Sequence, residues 1–173
     1  MNWEPLFEPM RILATSAGLG AILGLERELA RRPAGLRTHI LVAVAASLLM
    51  VLGEIVIEQF TAEQGRSSVR ADPIRVIQAI IVGISFLGTG TIIHQPGARV
   101  EGLTTAASIL LTAAIAIAVA SHHALLAAVV TVSITGLLVV LGWVEKLLGT
   151  DQPPERDETM PSKRVRSPVQ TGG

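Results

Sequence analysis

Five hydrophobic stretches dominate the pattern of apolar and polar positions along this chain of 173 residues. None of the five contains Asp, Glu, Lys or Arg. A hydrocarbon core of about 30 Å takes about 20 helical residues to cross, and the two shorter stretches reach that length by including flanking interfacial residues. We therefore predict an all-α integral membrane bundle of five transmembrane helices. The stretches comprise residues 12–25, 38–53, 76–95, 102–126 and 124–144.

The composition of the chain changes after Thr150, where prolines and charged residues replace the apolar ones. So few apolar residues cannot bury enough surface to fold. We therefore predict a membrane domain over residues 5–148 and a disordered cytoplasmic tail over residues 149–173. Weak attraction of the basic run at 163–166 to anionic lipid is an alternative role for this tail.

Lysine and arginine are distributed unequally between the two sides of the predicted bundle. Ten of the 14 basic residues lie on the side that carries the first and third connections and the tail, and four lie on the other side. Because cytoplasmic loops are the ones rich in Lys and Arg, the N-terminus is predicted outside and the C-terminus in the cytoplasm. The first ten residues include Glu4 and Glu8 but no basic residue, unlike a secretory signal peptide, so the first span is predicted to be uncleaved.

Composition narrows the range of functions. Half of the residues are hydrophobic, 16% are charged, and the mean hydropathy is +0.55. A net charge of zero gives no basic face for a nucleic-acid partner. The absence of cysteine excludes disulfides, thiolate metal sites and cysteine nucleophiles. The sequence also lacks a phosphate-binding glycine loop, an HExxH motif and a Ser-His-Asp set in a soluble fold, so we predict that the protein is not an enzyme.

Small residues are placed where helices would pack closely. Gly20 and Gly24 form a GxxxG pair, and Gly83, Gly88 and Gly90 crowd the end of the third stretch. Because lipid gives little hydrophobic gain for helix association, small residues that let backbones touch provide van der Waals contact instead. So many glycines also weaken a helix, and a broken span that lines a cavity is the alternative for residues 83–90. We expect the protein to self-associate through its glycine faces.

A set of five short motifs carries a family resemblance. They are GLERE at 24–28, AGLRTH at 34–39, DPIR at 72–75, GISFLGTG at 83–90 and VEGLTTAA at 100–107. In this order they resemble the MgtC/SapB family over about residues 10–145. The chain departs from the family pattern at Ser85 and Thr89. From the resemblance we also expect the soluble C-terminal domain of the virulence-linked members to be missing here, which puts in doubt any function delivered by that domain.

The resemblance implies a multi-pass protein of the bacterial inner membrane with about five spans. It implies a role in growth at low magnesium, in stress adaptation and, for some members, in virulence. It also implies partners in the membrane, namely the F-type ATP synthase or a magnesium transporter. No cofactor is expected beyond weak binding of Mg²⁺.

Polar residues at the cytoplasmic ends of the predicted spans form one candidate site. If the two helical hairpins pack side by side, these residues meet at one vestibule, where Glu26 could pair with Arg37. The ordinary alternative is that interfacial charges snorkel and pair without forming a site. The cluster comprises Glu26, Arg27, Arg37, Thr38, Thr104 and Thr105.

Acidic residues near the second connection form a candidate site on the outer side. Glu54 and Glu58 are one helical turn apart, so both carboxylates lie on one face, and Asp72 follows in the same connection. Carboxylate oxygens are ligands that Mg²⁺ favours, although simple pairing with nearby arginines is the competing interpretation. Asp72 and Pro73 also have the order of an N-cap followed by the first helical residue.

Two functions follow from these patterns. The first is a regulatory membrane protein that acts by contact with other membrane proteins. The second is a transporter or channel for a small ion or metabolite. Carriers of ions normally keep charge inside their spans, and its scarcity here favours regulation. His122 and His123, in an outer turn, could report acidification, or could be exposed residues without a sensing role. A transport path would be lined by Glu54, Thr89, Thr91, Thr104 or Thr112.

Overall fold

The described part of the chain is entirely helical, as the sequence predicts. A computed structural model describes residues 4–63, 72–92 and 102–148. The predicted tail, 149–173, and the end of the third hydrophobic stretch, 93–95, lie outside these residues. The helices are α1 (Glu4–Leu29), α2 (Leu36–Glu63), α3 (Pro73–Thr89), α4 (Leu103–Ala120) and α5 (Ala124–Leu147).

Four of these helices are long and apolar enough to cross a membrane. The fifth, α3, is apolar but has 17 residues, which corresponds to about 25 Å of helix. That length falls short of a hydrocarbon core of about 30 Å. The described residues therefore support a membrane bundle with four spanning helices and one shorter apolar helix. The membrane-length segments are Leu6–Leu29, Leu36–Gln59, Leu103–Ala120 and Ala124–Leu147.

The centre of the bundle is α4, which packs against each of the other four helices. Half of α4 is buried inside the protein, compared with 11% of α5. Its buried face carries Ala113, Ala116 and Ala120, which are fully buried. Side chains this small let neighbouring backbones approach closely, which is the main source of helix contact in lipid.

The closest packing joins α1 to α2. A Cβ atom placed on Gly20 would lie 2.8 Å from both the Ala43 Cβ atom and the His39 carbonyl oxygen. A Cβ atom on Gly24 would lie 2.9 Å from the Leu36 Cα atom. Neither position has room for a side chain. The GxxxG pair of the sequence is therefore the packing surface between α1 and α2.

Side-chain and backbone hydrogen bonds fix the starts of two helices. The Glu28 carboxylate accepts a hydrogen bond of 2.7 Å from the backbone N–H of Leu36, which begins α2. The Asp72 carboxylate accepts one of 3.0 Å from the N–H of Ile74, and Pro73 is the first residue of α3. The capping role predicted for Asp72 and Pro73 is confirmed.

Candidate functional site

A cluster of buried polar side chains lies at one end of the bundle. This end carries the turn between α1 and α2, the start of α4 and the end of α5, and we call it the α1–α2 end. Arg27 is 3% exposed, His39 is 0% exposed and Thr105 is 2% exposed, so the cluster is nearly closed to solvent. We define the buried cluster as Glu26, Arg27, His39, Thr105 and Ser108.

His39 connects α2 to α4. Its Nδ1 atom lies 2.8 Å from the carbonyl oxygen of Gly35, and its Nε2 atom lies 3.2 Å from the Ser108 hydroxyl. A carbonyl oxygen can only accept, so Nδ1 carries a hydrogen and donates it. In the neutral ring, Nε2 then accepts from Ser108. That hydroxyl also lies 2.8 Å from the Thr105 carbonyl oxygen, which competes for its hydrogen.

Glu26 and Arg27 form a buried ion pair that lacks hydrogen bonds. Arg27 Nη1 lies 3.8 Å from Glu26 Oε2, which is within ion-pair range but too long for a hydrogen bond. Glu26 Oε2 and the Nε and Nη2 atoms of Arg27 are buried without a hydrogen-bond partner. The Nε and Nη2 donors share one edge of the guanidinium, the arrangement that holds two oxygens of a carboxylate or phosphate. The pair therefore has one acceptor and two donor nitrogens that could still form hydrogen bonds.

The structure brings together only part of the site that the sequence indicates. Glu26 and Arg27 pair, and Thr105 is buried at the same end of the bundle, whereas Arg37 and Thr104 are exposed and Thr38 is half-buried. The suggested pairing of Glu26 with Arg37 is not formed, because Glu26 pairs with its chain neighbour instead.

Sequence reasoning left His39 and Ser108 out of the cluster. A periodic signal was available for His39, since it shares a helix face with Ala43, Ala46 and Met50, all of them buried. A polar residue at a position of that face has to find a partner inside the protein.

The three glycines at the end of the third hydrophobic stretch have different surroundings. The helix runs without a break from Pro73 to Thr89, across Gly83 and Gly88, and Gly90 is its C-cap. A Cβ atom on Gly88 would make ordinary contact with Ala106 of α4 at 3.5 Å, whereas one on Gly83 would meet nothing within 4 Å. A Cβ atom on Gly90 would approach only carbonyl oxygens of its own chain segment, such as that of Leu87 at 3.3 Å. Of the three, Gly88 is the one in contact with another helix.

The acidic residues on the predicted outer side differ in their surroundings. Glu54 is half-buried, Glu58 is exposed, and Asp72 caps α3. Within residues 4–63, 72–92 and 102–148, no three His, Asp or Glu side chains come together as a metal site.

Three of the four threonine hydroxyls of the suggested transport path donate to carbonyls of their own chain segment. Thr89 donates to the Ser85 carbonyl at 2.8 Å, Thr91 donates to Gly88 at 2.7 Å, and Thr112 donates to Ser108 at 2.8 Å. Two further buried hydroxyls, those of Ser47 and Thr131, also donate to carbonyls of the preceding turn. The hydrogen of each of these hydroxyls is therefore donated within its own chain segment.

The two histidines of the turn between α4 and α5 are exposed. His122 has a positive φ of 63°, and its Nδ1 atom lies 3.9 Å from Glu8 of α1, close enough for an ion pair when the ring is protonated. His123 has its Nδ1 atom 2.6 Å from the Ser121 carbonyl oxygen, so that nitrogen donates within the turn. These contacts place the turn beside the start of α1.

Comparison with known proteins gives a consistent result. Residues 13–147 match the model described as MgtC family. An uncharacterized protein of Haemophilus influenzae is 39% identical over 116 residues, covering 67% of this chain and 48% of that protein. Protein MgtC of Brucella abortus is 38% identical over 141 residues, covering 80% and 54%. The putative magnesium transporter YhiD of Escherichia coli is 34% identical over 112 residues, covering 65% and 50%.

The chain spans about half the length of these curated relatives. No solved structure matches it.

Proposed function

The chain belongs to the MgtC family, and from this premise we propose that it is a regulatory membrane protein for adaptation to low magnesium and to stress. Its action is contact with other membrane proteins, without catalysis. The partners proposed from the family resemblance are the F-type ATP synthase or a magnesium transporter, with a second copy of the chain as a further partner.

The observation that supports contact over conduction is the hydrogen bonding of three buried hydroxyls. Ser47, Thr112 and Thr131 each lie inside the bundle and donate to a carbonyl of their own helix. A path for ions needs polar groups that face the moving ion and replace its water. Hydroxyls that donate to their own backbones are typical of a packed helical core. A protein with such a core would act through its surface.

The second candidate is a transporter, and one structural feature favours it. Arg27 is a charged residue buried within a membrane-length segment, with two nitrogens that lack partners. Ionisable residues inside membrane segments often mark substrate or proton pathways. The Escherichia coli relative, whose name is putative magnesium transporter YhiD, points the same way.

We place the protein in the bacterial inner membrane with its N-terminus outside, and we take α3 with the residues that follow it as the fifth span. A reporter fused after Thr150 should then be active in the cytoplasm, and one inserted near Gly65 should be active outside. The reverse pattern would overturn this orientation. If both reporters were active on the same side, an even number of spans would separate them, and α3 with the residues that follow it would not be a span.

The proposed role in magnesium adaptation is tested by deleting the gene. The deletion strain should grow poorly at micromolar Mg²⁺ and normally at millimolar Mg²⁺, and the intact gene should restore growth. Equal growth of mutant and parent over this range would contradict the proposed role.

Crosslinking in cells grown at low magnesium should capture a membrane partner. Ion flux by the purified protein in liposomes, for Mg²⁺, K⁺ or H⁺, would instead support the transporter.

A further inference from the structure

A groove between α1 and α5 opens on the side of the bundle at its α1–α2 end. Its volume is about 450 Å³, within the range of about 300–1,000 Å³ typical of small-molecule sites. It extends from Lys146 to Thr135, eleven residues or about 16 Å along α5. That is about half of a hydrocarbon core of about 30 Å, the depth of one leaflet. Apolar side chains of both helices line it, among them Ile22, Leu25, Leu29, Leu138 and Val139.

The end of the groove at the α1–α2 end carries charges of both signs. Glu26 lines the groove, and its side chain is 10% exposed. Its Oε2 atom is buried beside Arg27 and has no hydrogen-bond partner. Lys146 lines the same groove from α5 and is exposed. Trp143, also exposed, stands one turn before it, and an indole ring is favoured at headgroup depth. The groove thus combines an apolar channel with one acidic and one basic side chain at its interfacial end.

We propose that this groove is a binding site for a glycerophospholipid with a primary ammonium headgroup, that is, a phosphatidylethanolamine. One acyl chain lies between α1 and α5. The ammonium group donates hydrogen bonds to the Glu26 carboxylate, and the phosphate accepts from Lys146. The proposal uses only the lining of the groove, so it stands whether the chain is a regulator or a transporter.

The charges at the end of the groove select this headgroup. The quaternary ammonium of phosphatidylcholine has no N–H group, so it cannot donate a hydrogen bond to the Glu26 carboxylate. Phosphatidylglycerol has a net negative charge, and its headgroup has no ammonium group that could pair with the Glu26 carboxylate. A transmembrane helix is about 10 Å across, so one turn of it occupies about as much volume as the whole groove. A single acyl chain fits this space better than a partner helix does.

Trp143 serves as the reporter for the experiment. The chain has two tryptophans, so Trp3→Phe leaves Trp143 as the single fluorophore. This variant is placed in nanodiscs of phosphatidylcholine that contain a small fraction of lipid with brominated acyl chains, which quench tryptophan on contact. Brominated phosphatidylethanolamine should quench Trp143 at about one tenth of the mole fraction needed with brominated phosphatidylcholine. The reason is that only the primary ammonium group can donate charge-assisted hydrogen bonds to the Glu26 carboxylate.

Three matched variants test the assignment of the charges. Glu26→Gln and Lys146→Gln, each in the Trp3→Phe chain, should reduce the tenfold preference to about twofold or less. Lys146 is exposed, so its replacement tests the site even if Glu26→Gln fails to fold. Glu145→Gln removes a carboxylate of the same helix end that does not line the groove, and it should keep the preference.

Equal quenching by brominated phosphatidylethanolamine and phosphatidylcholine would overturn the proposal. So would stronger quenching by brominated phosphatidylglycerol, which would indicate an anion site. Weak quenching by every lipid would mean that protein fills the groove, and would overturn the proposal as well.

Discussion

Replacing Gly20 with alanine should destabilise the bundle by about 1–3 kcal/mol, the usual cost of overpacking a close contact. The new methyl group would lie 2.8 Å from the Ala43 Cβ atom and 2.8 Å from the His39 carbonyl oxygen. A backbone oxygen cannot rotate away as the end of a flexible side chain can, so α1 and α2 have to separate. Alanine is the better helix former by about 1 kcal/mol, and the packing cost is expected to exceed that gain. The free energy of unfolding in mixed micelles of detergent and SDS measures the result.

Gly18→Ala is the matched control for this substitution. It lies two residues earlier on the same helix, and a Cβ atom there would meet nothing within 4 Å. The same methyl group should therefore leave the stability unchanged or raise it slightly, because only the helix propensity changes. If both variants lost the same stability, glycine flexibility in α1 would explain the loss, and close packing against α2 would not.

The helices could be predicted because each one depends on a local property of the sequence. Stretches without charge mark the membrane segments, and the Asp72-Pro73 pair marks the start of α3 through a cap that involves neighbouring residues. The packing role of Gly20 and Gly24 also follows from their spacing, since residues four apart lie on one helix face. The length of α3 was not predictable in the same way. The hydrophobic stretch continues to residue 95, whereas the described helix ends at Thr89.

The composition of the buried cluster depends on contacts between distant parts of the chain. His39 and Ser108 are 69 residues apart, and the bond between them forms only because α2 packs on α4. The sequence placed Glu26 and Arg37 at the same end of the bundle but gave no information on which way each side chain points. Arg37 faces outward, and Arg27, next to Glu26 in the chain, lies on the buried face of α1.

Gly24 contributes to the burial of this cluster. It stands one turn before Arg27, and a Cβ atom there would lie 2.9 Å from the Cβ atom of His39. Its lack of a side chain lets α2 approach α1 at the level of the cluster. Close packing and polar burial at the α1–α2 end thus have the same cause, the glycine face of α1.

Replacing Arg27 with methionine should destabilise the bundle strongly, with a loss of about 3 kcal/mol in the free energy of unfolding. Methionine keeps most of the volume of the arginine stem but removes the charge. Glu26, whose side chain is 10% exposed, would then hold a nearly buried carboxylate without its counterion. Breaking one half of a buried pair typically costs about 3–5 kcal/mol, and the 3.8 Å separation places this pair at the lower end.

The double variant Glu26→Gln with Arg27→Met separates this effect from a loss of packing. Removing both charges should restore most of the stability, because buried ion pairs are often no better than neutral residues of the same shape. Arg37→Met, at an exposed position nearby, should change the stability by no more than about 0.5 kcal/mol. If the double variant were as unstable as Arg27→Met alone, the arginine stem and its contacts would account for the loss. The unpaired charge of Glu26 would then not be its cause.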